Sequence, residues 1–206
     1  MDTLPDVGPD LRRREIAVRR AEGVLLRSHA VGVAVLAAWA AVMASNAGAE
    51  PQRAIGLAVL GFALAGVMPA FVYGAAWWAV RAGERSRRTS GGGAGLGVAA
   101  VVGLVLVPLQ PALALPLGAF GMSGLLGLGI VALGLHRRSR LLWGAGAGVV
   151  ALHLLVWLVL LVVGWSAFEV WVPVVLSAAT SVGLGACASW ASTQARRSER
   201  AARFAA

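Results

Sequence analysis

Apolar residues in this chain come in long runs separated by short clusters of arginine, and the length of the runs decides what they form. Six runs stand out: 30–49, 54–80, 94–107, 112–135, 141–163 and 174–193. A helix rises about 1.5 Å per residue, so about 20 apolar residues cross a hydrocarbon core of about 30 Å. The pattern therefore predicts an all-α fold, a polytopic transmembrane bundle of six spans in three hairpins. Residues 1–28 and 196–206 are basic tails flanking one membrane domain, 29–195. The uncharged stretch Ala94 to Leu135 is long enough for two spans, so a turn is expected among Pro108, Pro111 and Pro116.

Local signals refine this outline. In the N-terminal tail Asp10 is placed to cap a helix. Leu11, Ala17, Val18, Ala21, Val24 and Leu25 would share one side of it, with Arg12, Arg13, Arg19, Arg20 and Arg27 crowding the other. Such a segment is either a solvated lead-in or an amphipathic helix at headgroup level. Ala47-Gly48-Ala49 before Glu50 has the form of a signal-peptide cleavage site. The polar lead-in is much longer than an ordinary signal n-region, however, so the first run is read as a retained span. Pro69 lies inside the second run, where a proline frees a carbonyl and makes Gly66 to Pro69 a candidate hinge.

Composition agrees with the pattern. Of 206 residues, 59% are hydrophobic and 13% charged, and the mean hydropathy is +0.79. That leaves too little polar surface for a soluble domain of this size. The 18 basic residues are all arginine, which excludes P-loop phosphate chemistry and lysine-based covalent catalysis. Arginine without lysine, with abundant Ala, Gly and Val, suggests a bacterial cytoplasmic membrane as the location.

The arginines also orient the chain. Alternate polar segments hold six (residues 1–29), four (81–88), three (137–140) and four (196–203), leaving Arg53 alone on the other side. Cytoplasmic loops collect positive charge, so both termini are expected inside. The net charge of +9 is read as a topology signal with affinity for anionic lipid headgroups, and not as a nucleic-acid surface.

Candidate chemistry is sparse. No Arg, Asp or Glu falls within the six runs, which argues against a carboxylate-driven pump. The single cysteine, Cys187, has no disulfide partner and no neighbours for a metal. His29, His136 and His153 lie at three different depths, which excludes a bis-histidine haem. No cofactor or metal is expected.

Two polar residues sit deep in spans four and five. Ser123 lies ~16 Å along span four if that helix begins at Ala112, and His153 ~18 Å along span five, so depth permits them to meet. Gly121-Met-Ser-Gly124 resembles the G-x-S-G element of rhomboid intramembrane serine proteases, and the six spans with this element on the fourth extend the likeness. The resemblance implies Ser123 as nucleophile, with a histidine on the sixth span as its base. Val174 to Thr193 contains no histidine, so only His153 is available for that role, and no acidic group is present to orient it.

Small residues recur with helical spacing. Ser177, Ser181, Gly185, Ser189 and Thr193 fall every four residues on span six, and Gly144 and Gly148 do so on span five. In lipid, small side chains permit the close backbone approach that joins helices, so these positions are expected to pack.

Three functions follow as expectations. The first is a non-enzymatic structural or accessory subunit acting through helix packing, with itself or with a membrane-protein partner. The second is a small-solute carrier; the size and six-span count are similar to the substrate-binding components of energy-coupling vitamin transporters, with alanines four apart at Ala34, Ala38 and at Ala37, Ala41. The third is an intramembrane serine hydrolase built on Ser123 and His153.

Overall fold

A computed structural model describes residues 9–48, 50–87, 95–105, 121–163 and 171–204. Every regular element among them is a helix: α1 (Pro9–Ser45), α2 (Pro51–Arg87), α3 (Leu96–Val105), α4 (Gly121–His136), α5 (Arg140–Val163) and α6 (Val172–Phe204). Four of these are long and apolar enough to cross a membrane, over Glu15–Ser45, Pro51–Arg85, Arg140–Leu160 and Val172–Ala201. Helices α3 and α4 are shorter, and the turn expected among the prolines 108–116 lies outside the described residues.

Helices α1, α2 and α6 run past the ends of their apolar stretches. Alanine, arginine and glutamate are strong helix formers, so nothing in the sequence stops these helices where charge begins. From Pro9 onward the N-terminal lead-in is helical and continuous with the first span, as the first part of α1. Its apolar side is used within the protein, because Ala21 and Leu25 are buried, as are Ala188, Ala191 and Ala195 on α6. α2 continues unbroken through Pro69.

Side-chain contacts give the layout. Trp39 lies against Gly61, and Met68 and Val72 lie against Gly32, so α1 and α2 are antiparallel neighbours. Trp77 against Gly97 sets α3 beside α2. Along α1 and α6, Ala30 meets Ser181, Gly23 meets Ser192 and Arg20 pairs with Glu199, which makes the first and last helices antiparallel partners. The hairpin α4–α5 closes the bundle. One contiguous core draws on all six helices, with Leu25, Leu26, Val33, Val72, Leu96, Ile130 and Leu142 fully buried.

The outward faces are as apolar as the core. Phe71 is 67% and Trp78 69% exposed, and Ile55, Val98, Val175 and Val182 are similarly open. An apolar exterior of this extent matches a hydrocarbon solvent and not water. The molecule is a membrane-embedded helical bundle by its composition, its four long apolar helices and this surface.

The basic knot between α4 and α5 is a compact double cap. Arg138 takes φ 53°, the left-handed conformation that ends a helix. Its N–H donates to the Leu135 carbonyl at 3.1 Å, and the Ser139 N–H donates to that of Gly134 at 2.8 Å. This pair of bonds is the Schellman pattern. Ser139 Oγ then accepts from the Leu142 N–H at 3.2 Å and caps α5. Two caps share four residues, so the hairpin is as tight as helices allow.

Candidate functional site

The α4–α5 hairpin meets at glycines. A β-carbon on Gly146 would stand 2.6 Å from the Val131 nitrogen and 2.9 Å from the Gly127 carbonyl oxygen. One on Gly127 would stand 2.7 Å from Val149 Cγ1, and one on Gly134 would strike the backbone of Trp143. The two backbones therefore approach at three levels, an approach that only glycine permits.

One further step along the same seam brings the two candidate residues together. Ser123 Oγ is 2.7 Å from His153 Nε2, and both side chains are buried. His153 Nδ1 lies 2.8 Å from the carbonyl oxygen of Val149. A carbonyl can only accept, so Nδ1 carries the proton and Nε2 presents its lone pair. The Ser123 hydroxyl is consequently the donor to His153. Ser177 Oγ of α6 lies 3.4 Å from Ser123 Oγ, beyond the usual range of about 2.5–3.0 Å for hydroxyl bonds. It is a close polar neighbour more than a strong partner, and it brings a third helix to the site.

Chemically, the arrangement has the polarity of a nucleophile and its base: a hydroxyl pointing its proton at a neutral imidazole whose other nitrogen is held by a carbonyl. Among the described residues no cluster of three or more His, Cys, Asp or Glu is arranged to hold a metal ion.

The other singled-out positions separate. Ser181 Oγ donates to the Ala30 carbonyl of α1 at 2.8 Å, a bond between helices. Thr193 is exposed and donates to the Ser189 carbonyl of its own helix at 2.9 Å. Ser189 is exposed, and Gly185 has no atom near the place of a β-carbon. Gly144 and Gly148 likewise face open space within the chain, while the close approach along α5 falls on Gly146.

Sequence reasoning also passed over a polar site on α1. His29 is fully buried, donates from Nδ1 to the Leu25 carbonyl at 2.9 Å, and sets its ring edge-on to Tyr73 with centroids 4.9 Å apart. Its Nε2 has no hydrogen-bond partner.

Charged groups gather at the end of the bundle that carries the knot. Arg20 of α1 pairs with Glu199 of α6. Arg137 lies in the field of Glu22 on α1 and Glu84 on α2; burial pulls its guanidinium below its ordinary pKa and the two carboxylates pull it back. Glu22 is itself buried, so its charge is held where Arg137 can answer it. Comparison of the chain with protein-family models, with curated proteins and with solved structures finds no match.

Proposed function

We propose that this chain is a non-enzymatic structural or accessory subunit of the cytoplasmic membrane, working through helix packing with six spans in three hairpins and both termini inside. The observation that carries the reading is the junction of Ser123, His153 and Ser177. Ser123 and His153, both buried, turn toward one another and tie two helices together, with Ser177 of a third beside them. In lipid such a bond contributes about 0.6–2 kcal/mol to helix association.

A paired substitution tests this. Ser123→Ala alone strands the buried imidazole and should cost about 1–3 kcal/mol. Adding His153→Leu removes both polar partners and should restore most of the loss, with the cellular role intact. Loss of the role in a double variant as stable as the natural protein would sink the structural reading. Orientation is tested separately: with Cys187→Ser as background, Ser166→Cys should react with an impermeant maleimide only from the outer face.

The polarity of the Ser123–His153 contact favours a second reading, an intramembrane serine hydrolase. Ser123 is then the nucleophile and His153 the base, oriented by the Val149 carbonyl. A fluorophosphonate probe added to the protein in bilayers distinguishes the two. The packing reading expects no adduct, whereas labelling of Ser123 that disappears in Ser123→Ala and His153→Ala establishes the hydrolase.

A further inference from the structure

The seam between α1 and α2 changes character along its length. At the knot end it opens as a cleft of about 200 Å³, lined by Arg20, Ala21 and Val24 on one side and by Val80, Gly83 and Glu84 on the other. A guanidinium and a carboxylate at the mouth hold water there, because charged groups give up hydration only at high cost. Farther in, His29 turns toward Tyr73 of α2, with ring centroids 4.9 Å apart. Just beyond, the seam is shut: a β-carbon on Gly32 would overlap Val72 and stand 3.3 Å from Met68 Sδ. His29 therefore sits between an open mouth and a closed end.

The stretch joining cleft and histidine is lined by a small side chain. Val72 faces α1 at Gly32 and Val80 faces it at the cleft, so Ala76, one helical step of four from each, lies on the same stripe. Val24 and His29 are five residues apart, about 7.5 Å along α1. At about 2.8 Å between hydrogen-bonded oxygens, about three waters in file cover that length.

The inner end calls for such an occupant. His29 is 0% exposed and donates from Nδ1 to the Leu25 carbonyl at 2.9 Å, so Nε2 can only accept. Among the described residues, it is the buried side-chain nitrogen or oxygen without a hydrogen-bond partner. Buried acceptors are as a rule satisfied, by protein or by ordered water. The occupant must donate, and it must be small, because Leu25, Leu26, Val33 and Val72 of the same core are fully buried. Water meets both conditions.

We propose that the cleft is the mouth of a narrow water-filled inlet that ends at His29, where the innermost water donates to Nε2. The imidazole is thereby in contact with solvent from the knot end alone.

Magic-angle-spinning NMR of the full chain in bilayers, with ¹⁵N-labelled histidine, tests the inlet by magnetisation transfer from water protons. The signals of His29 are those lost in His29→Phe, and the exposed His136 is the reference for a wet imidazole. His29 should show an unprotonated Nε2 that gains intensity from water. Gly83→Trp should abolish that gain and leave the gain at His136 intact, because no atom stands within 4 Å of a β-carbon at Gly83 and the indole can fill the mouth. Absence of transfer to His29 under conditions where His136 receives it overturns the proposal. Transfer undiminished in Gly83→Trp overturns it too, by showing another route, as does a proton found on Nε2, which would then be a donor.

Discussion

Arg138 and Ser139 show how much one turn residue can decide. Arg138 holds a left-handed backbone that costs an L-residue about 1–2 kcal/mol, and the two caps around it offset that cost. Arg138→Gly should therefore raise the unfolding free energy in detergent by roughly 1 kcal/mol, read from denaturant titration. Ser139→Ala removes the acceptor for the Leu142 N–H and should lower it by about 1 kcal/mol. The same scale explains why most hydroxyls here carry no message between helices. Ser28, Ser45, Thr180, Ser192 and Thr193 each donate to the carbonyl four residues earlier, the cheapest partner a hydroxyl has in lipid. Among the described residues, Ser123 and Ser181 bond across to another helix, and Ser177 lies beside Ser123 from a third.

At the scale of the element, the α4–α5 hairpin obeys a register that the turn sets. In a tight antiparallel pair, residues equally distant from the turn face each other, and Arg138 is midway between Ser123 and His153. Gly134 opposite Trp143 and Gly127 opposite Val149 follow the same rule. The meeting of the serine and the histidine was thus contained in the position of the knot, although depth along two separate spans reveals only that it is permitted. The small residues on α6 do not all turn to one neighbour within the chain, for an equally geometric reason. Steps of four residues advance about 40° each, so from Ser177 to Thr193 the ridge turns by about 160°. Its first members face the bundle and its last face outward, as the burial of Ser177 and exposure of Thr193 show. Gly146→Ala should destabilise the hairpin by about 1–3 kcal/mol through overpacking against backbone. Gly148→Ala meets open space and should be neutral or gain up to about 1 kcal/mol from helix propensity, and thermal melts of the two variants in one detergent make the comparison.

Across the whole molecule, arginines from distant parts of the sequence collect at one end. Arg20 reaches Glu199 across the first and last helices, and Arg137 lies in the field of Glu22 and Glu84. Glu22→Gln should lower stability by about 1 kcal/mol, because it withdraws a counter-charge from a half-buried guanidinium that cannot shed its proton. The loss should persist in high salt, since Glu22 is buried and poorly screened.

The sequence by itself determined the class of the molecule, the helical runs and the alternation of charge. These depend on run length and composition, which no tertiary arrangement alters. It did not determine which small residues touch, because Gly144, Gly146 and Gly148 look alike until a neighbouring helix picks one. Nor did it reveal that α1 pairs with α6, a contact between chain ends that no local pattern encodes. The serine and histidine lie between these cases: their types and depths were legible, whereas the facing that put 2.7 Å between them was decided by a left-handed arginine in the turn.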